Sequence, residues 1–445
     1  MKYNIRKTNF IVGLVLILLI VFSVFNFVRQ GNPSDVGNVT PTKGPFTTFV
    51  KLVKNILEDG DKERTFLILF QNNMELRPGG GFIGSFGIIK TKGEKIISYS
   101  VHDTSNFDGR IPDTVPIPTP MKEAFGINAW KLRDSNYSPD FKVNAEKALE
   151  FYYLGKGEEE FDGVIAINAA LLESVLEFTG PIMLEGHPNT YTASNVLVSL
   201  EKQVEINYRE QGIKKGDRKE VLGLLMKDIM DKVKDLSILE KTKLFKVIVA
   251  ELNSKDIQLY FKDQELQSIV EDANWSGEVD RSWNNDYLML VDANLGAYKS
   301  DYFVKRSLDY NIDFSQEKPR VKLDITYNHT AKEKNWFTQD YNSYTRVYVP
   351  FGSELISFGG FPGTKVETDF EKTYFANWVR VKTGEEKTIG VEYVLPEKIS
   401  IEDYALKIQK QSGVENIPLR VTITSKDGKV TKFDKTMDGD LVLEE

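Results

Sequence analysis

The longest apolar run in the chain comes first. Residues 10–28 carry no charge, and only Gly13, Ser23 and Asn26 interrupt them. At about 1.5 Å per residue, a helix of this length nearly matches the roughly 30 Å hydrocarbon layer of a bilayer. The stretch reads as a transmembrane helix. A cleaved signal peptide is the alternative, but the run is longer than the usual apolar core and ends in Phe25, Phe27 and Val28 instead of small residues. Lys2, Arg6 and Lys7 precede it, which keeps residues 1–9 in the cytoplasm and puts the body outside. No later stretch is long and apolar enough for a second span.

Patterning then changes four times. Residues 29–45 are rich in Gly, Pro, Ser and Thr and read as a flexible linker. Phe46, Phe49, Val50, Val53, Ile56 and Leu57 recur at helical spacing; the helix lies either on the membrane surface or in the core at the domain entrance. From residue 64, strands (64–71, 82–90, 95–101, 161–167, 257–261, 287–291) mix with helices. One helix spans 139–154 with Ser138 as its cap, a second spans 169–178, and further ones fill 193–252, where Val221, Leu222, Leu225, Ile229 and Val233 form a stripe. This predicts a mixed α/β sheet domain over 46–300. After about residue 301 helical periodicity stops, and short β-rich segments separated by Gly, Pro and Asp predict an antiparallel, Ig-like β-sandwich over 301–445.

Composition narrows the chemistry. The formal charge is −8, and because the first 29 residues hold four basic residues and no acid, the rest sits near −12. So acidic a body has no basic footprint for nucleic acid. Cysteine is absent and only three histidines occur, His102, His187 and His329, which removes disulfides, thiolate sites, thiol nucleophiles and His-cluster metal sites.

The most unusual segment is Asn73-Met74-Glu75-Leu76-Arg77-Pro78-Gly79-Gly80-Gly81-Phe82-Ile83-Gly84. Its glycines formally satisfy a dinucleotide-binding fingerprint, yet a strand follows them where a helix is required, and no P-loop Lys-Ser/Thr is present. Two readings stay open. The glycine amides, flanked by Glu75 and Arg77, could cradle an anion, or the glycines could make a tight strand connection needing positive φ. Further polar clusters fall at element ends: His102-Asp103-Thr104, Arg133-Asp134 with Asp140, and Asp217-Arg218-Lys219. Carboxylates and arginines so gathered could hold a divalent metal and a phosphate together, although Asp140 and Asp217 also suit helix first turns. Asp292-Ala293-Asn294-Leu295-Gly296 hints at a calcium loop but lacks the terminal acid of an EF-hand.

Through these residues, together with Gln71-Asn72, Leu132-Arg133-Asp134-Ser135-Asn136, Ser138-Pro139-Asp140-Phe141, Phe161-Asp162-Gly163-Val164 and Val291-Asp292-Ala293-Asn294, the chain resembles the bacterial domain-of-unknown-function family 4012. That family is membrane-anchored and has no established activity. A more distant likeness is to the LytR-CpsA-Psr family, extracytoplasmic transferases that move a glycopolymer from a polyprenyl-pyrophosphate carrier to the cell wall with magnesium. Glu75-Leu76-Arg77, His102-Asp103 and Asp217-Arg218 stand where that family carries Asp-x-Arg, Arg-Asp and an Asp/Arg-rich helix start. The family's Ser-Asp-Thr is replaced near Gly84-Ser85-Phe86, and His102 replaces an arginine.

The likeness implies an α/β unit with the LytR-CpsA-Psr fold and a site in which Arg77, Asp103 and Arg218 are catalytic. Glu75, Gly79, Gly80, Gly81, Arg133 and Asp134 would bind substrate, and Glu75 and Asp103 would hold Mg. The expected protein is a single-pass plasma-membrane protein with an extracytoplasmic body. It would bind an anionic or polyprenyl-pyrophosphate-linked envelope glycan, as a phosphotransferase or as a binder; the alternative is a non-catalytic surface scaffold or adhesin.

Overall fold

The structure, a computed structural model, describes residues 44–57, 62–93, 95–214, 218–359 and 362–444. The expected cytoplasmic segment, the transmembrane helix and nearly all of the linker lie outside the described residues, as does Asp217; among those described, no helix is long and apolar enough to cross a membrane.

The first part of the chain is an α/β unit. Its strands are β1 (Glu63–Arg77), β2 (Gly80–Lys92), β3 (Lys95–Asp103), β4 (Gly163–Asn168) and, after a two-residue ladder of β5 (Ile182–Met183) and β6 (Thr190–Tyr191), β7 (Ile257–Phe261). They form one sheet in the order β3-β2-β1-β4-β7, in which β1 and β4 are parallel and the other pairs antiparallel. The longer helices are α1 (Pro45–Leu57), α2 (Phe141–Leu154), α3 (Ala170–Thr179), α4 (Val196–Lys202), α5 (Glu220–Asp235), α6 (Ile238–Asn253) and α7 (Gln264–Asp272). Side chains alternate across the sheet. Phe66, Ile68, Ile165 and Ile167 enter a core shared with α1 and α3–α7, whereas Leu67, Leu69, Val164 and Ala166 enter a second core with α2. The sheet is therefore covered by helices on both faces. Of the two readings open for the first helix, the core position is the one observed: Phe49, Leu52 and Val53 are buried, and Phe49 packs edge-on against Phe245 and Trp275. Helix α2 begins two residues later than its pattern suggests, because Asp140 and not Ser138 caps it, accepting from the Val143 amide at 3.2 Å.

The second part is β-rich. Strands β8 (Asp286–Asn294), β9 (Val304–Asp313), β10 (Arg320–His329), β11 (Tyr341–Pro350), β12 (Glu354–Phe358), β13 (Lys365–Asp369), β14 (Lys372–Val381), β15 (Glu386–Val394), β16 (Ala405–Ile408), β17 (Ile417–Thr424), β18 (Val430–Met437) and β19 (Leu441–Glu444) make two six-stranded sheets. Their orders are β12-β15-β10-β9-β17-β18 and β13-β14-β11-β8-β16-β19, and both contribute to one core. Two expectations change. The β-rich part starts at β8, not at residue 301, since β8 pairs with β11 and β16; buried at every position, it is an inner strand covered on both faces, and its pattern alone does not say to which sheet it belongs. The sheets are also not purely antiparallel, because β16 runs parallel to β8 and β17 parallel to β9.

A polar seam joins the two parts. Asn73 donates to the Gly413 carbonyl at 3.2 Å, Gln411 to the Arg77 and Asp292 carbonyls at 3.1 and 2.8 Å, and Ser412 to the Lys255 carbonyl at 2.7 Å. The Lys255 ammonium meets Asp440 at 2.7 Å. Buried polar groups require such partners, so the segment around residues 409–413 is held by its hydrogen bonds to the α/β unit.

Candidate functional site

A cavity of about 390 Å³ opens where the parallel strands β1 and β4 end, between the sheet and helices α3, α4 and α5. Ligands of open α/β sheets collect at this end of parallel strands, and the volume falls within the roughly 300–1,000 Å³ typical of small-molecule pockets. Its walls are apolar: Phe70 and Ile167 from the sheet, Leu171, Leu172 and Val175 from α3, Leu197 and Leu200 from α4, and Leu222 and Met226 from α5. Helix α5 reaches both environments because successive positions turn by about 100°. Val221 and Leu225 fill the core while Leu222 and Met226, one step round, face the void.

The rim is polar and charged. Asn72, Glu75, Ser85, Glu201, Glu205, Arg218, Lys219 and Lys299 contribute to it. Each of its cations is paired: Arg218 with Glu205 at 3.3 Å, Lys219 with Asp103 at 2.5 Å and Lys299 with Glu201 at 3.6 Å. Lys219 also donates to the Gly84 carbonyl. Glu201 accepts from the Asn72 side-chain Nδ2 at 2.7 Å. Its burial, with Glu205 and Glu75 adding repulsion, raises it above the ordinary carboxylate range against the pull of Lys299. Asp103 moves the other way: burial opposes its charge, but the Lys219 ammonium and the Ser105 and Asn106 amides hold it below its usual value.

The expected site residues divide. Glu75 and Arg218 line the cavity, and Asp103 reaches its rim through Lys219. Arg77 does not line it. This side chain is almost fully buried, with Glu75 at 2.8 Å, Asp134 at 2.9 Å, the Leu76 and Asn294 carbonyls at 3.3 and 2.8 Å, and the rings of Phe82 and Phe125 beside it. Asp134 is thus a partner of Arg77, and Arg133 pairs instead with buried Asp108 at 2.5 Å. The glycines make the tight strand connection, not the cradle. Gly80 has φ +130° and pairs with Arg77, the Gly79 amide donates to the Asn136 carbonyl, and the Gly81 amide donates to the Gln71 side chain. The Gly79 and Gly81 amides are therefore not free for a phosphate.

The donor set does not fit magnesium. Glu75 is engaged with Arg77, while Asp103 caps the short helix Thr104–Asp108 and pairs with Lys219. Among the described residues, no group of three or more His, Asp or Glu is placed to hold a metal. The calcium hint at residues 292–296 has another explanation: Asp292 is fully buried and accepts from Arg306, Tyr327, Ser343 and Thr345.

Sequence reasoning missed Glu201, Lys299 and the apolar walls. Lys219 was legible as part of the Asp217-Arg218-Lys219 cluster, but without a role of its own. Residues 61–204, which include the glycine connection and most of the cavity lining, match the family described as "Protein of unknown function (DUF4012)". No curated protein matches the chain. Among solved structures, the X-ray structure of the Lin1025 protein from Listeria innocua is similar at 12% identity and a TM-score of 0.25, over 49% of this chain and 80% of that one, too loose a likeness to bear on fold or activity. The match to the DUF4012 family thus covers residues 61–204, about a third of the chain.

Proposed function

We propose that this is a membrane-tethered cell-envelope protein whose α/β unit binds an amphiphile of the polyprenyl-phosphate-linked glycan class, with the isoprenoid chain in the cavity and the phosphate at Arg218, Lys219 and Lys299. The observation that carries the reading is the cavity: apolar walls, one charged rim, and a position at the ends of β1 and β4. A chain entering it gains about 25 cal/mol per Å² of apolar surface withdrawn from water. A phosphate at the rim replaces carboxylates as the cations' partner, and the longest contacts, Arg218–Glu205 and Lys299–Glu201, are the ones to open. A membrane anchor at residues 10–28 would keep the unit where such carriers reside. The sheet with helices on both faces is compatible with the LytR-CpsA-Psr likeness, and the two C-terminal sheets with an Ig-like sandwich. The reading is one of binding and not of transfer, because Arg77 is spent on Glu75 and Asp134.

The test is calorimetric titration of geranylgeranyl phosphate into the full chain in detergent micelles, where saturable binding is expected. Leu222→Trp fills the cavity and should abolish binding while leaving the melting temperature near that of the wild type. Arg218→Ala should weaken binding roughly ten- to a hundredfold, from loss of a charge-assisted hydrogen bond of about 1.5–3 kcal/mol. Equal binding by all three forms, or none by the wild type, would remove this reading and leave the non-catalytic scaffold in its place.

A further inference from the structure

We infer that the corner formed by Met183 and Leu239 is a second membrane contact, which rests the α/β unit on the lipid surface. Large apolar side chains scattered singly over a surface need no explanation, but these two are the most exposed of all in the described residues, at 73% and 77%, and the end of α5 links the segments that carry them. Lys232, in the last turn of α5, donates to the Thr179 and Pro181 carbonyls at 3.1 and 2.8 Å, which brings the end of α5 against the turn leading into Met183. Leu239 is the second residue of α6, just past the α5–α6 junction, where Lys241 donates back to the Lys234 carbonyl at 3.2 Å.

Chain path favours lipid as the occupant. Charge does not oppose it: the six lysines between residues 227 and 246 are balanced by four acids there and by exposed Glu177 and Glu185 beside Met183. Exposed apolar tips insert into the headgroup region of a bilayer, and neighbouring ammonium groups snorkel to its phosphates. The chain also arrives from the apolar N-terminal segment alongside this same helix. Phe49, four residues into α1, packs on Phe245 of α6 with ring centroids 4.9 Å apart, and Phe245 is about 9 Å along the helix axis from Leu239. Two side chains alone bind a bilayer weakly. Reading residues 10–28 as an anchor, on which the inference rests, makes the contact intramolecular and raises its effective concentration toward the millimolar range.

The absence of cysteine permits single-site labels. Full chains carrying Met183→Cys, Leu239→Cys or, as control, Val366→Cys on β13 of the other part are labelled with an environment-sensitive fluorophore. They are then reconstituted into phosphatidylcholine vesicles containing phosphatidylglycerol and floated. The labels at 183 and 239 should shift to the blue and be quenched by nitroxides on the acyl chains, as expected for a depth of roughly 5–10 Å, whereas the label at 366 should not. Chains that float with labels at 183 and 239 no more quenched than at 366 overturn the corner contact alone. Chains that do not float overturn the anchor as well.

Discussion

Truncating Arg77 separates a structural role from a binding role. In Arg77→Ala the Glu75 and Asp134 carboxylates, each at most a tenth exposed, lose the cation between them, and the Leu76 and Asn294 carbonyls lose their donor. Breaking a buried ion pair by removing one partner costs about 3–5 kcal/mol, because the remaining charge stays buried without compensation. At roughly 2–4 °C per kcal/mol for a unit of 150–250 residues, the melting temperature should fall by about 6–20 °C. Because the Asn294 carbonyl belongs to β8 while Arg77 ends β1, the guanidinium also ties the two parts together. Scanning calorimetry should therefore show the endotherm of Arg77→Ala broadening or splitting. Arg77→Lys retains charge but cannot span two carboxylates with a planar fork, so it should fall between. Geranylgeranyl phosphate affinity, measured well below the melting temperature, should change little. A variant melting within about 1 kcal/mol of the wild type while losing the ligand would refute this reasoning and return Arg77 to the binding site.

Three more outcomes follow from particular side chains. Burial lifts Asp286 to about 6 against the Tyr310 and Tyr404 hydroxyls and the Tyr287 amide; the folded state then holds a proton that the unfolded state has released, so stability should fall by roughly 2–3 kcal/mol as pH rises from about 4 to 6, and Asp286→Asn should flatten that stretch of a urea-midpoint profile, an unchanged slope counting against it. Gly80→Ala would set a Cβ 1.7 Å from the Gln71 Oε1 at φ +130°, so a loss exceeding about 2 kcal/mol is expected in thermal unfolding, and a neutral result would mean that the connection can rearrange. A fragment spanning residues 315–445 lacks β8 and β9, each an inner strand of its sheet, and should give a collapsed amide spectrum; good dispersion would show that the two sheets can close without them.

Local regularity was legible in the chain, and long-range partnership was not. The stripe Val221, Leu225, Ile229 and Val233 announced α5, and all four are buried. The run of β-rich segments after residue 301 announced the C-terminal sheets. Helix α2 was found but mis-capped, since Ser138 and Asp140 are equally good caps on paper and only the Val143 contact distinguishes them. The glycine segment was ambiguous because its amides are satisfied from far away, Gly79 by the carbonyl of Asn136. Arg77 looked like an anion ligand because its acceptor Asp134 lies 57 residues on. The cavity was invisible for a different reason: Leu222 and Met226 have the same apolar signature whether they meet another side chain or a void.

The seam through residues 409–413 and 440 bears on how the protein is made. Lys255 waits for Asp440 across 185 residues and Asn168 for Ser412 across 244. A polypeptide growing at about 5–20 residues per second needs roughly 10–40 s to cover the shorter of these gaps. Throughout that interval the newly made α/β unit carries an unsealed edge with unmatched polar groups. Such an interval favours capture by a holding chaperone. It also means that a premature stop anywhere before residue 409 yields a product whose upstream half is itself incomplete, and which should be cleared by proteolysis instead of accumulating as a shortened but working protein.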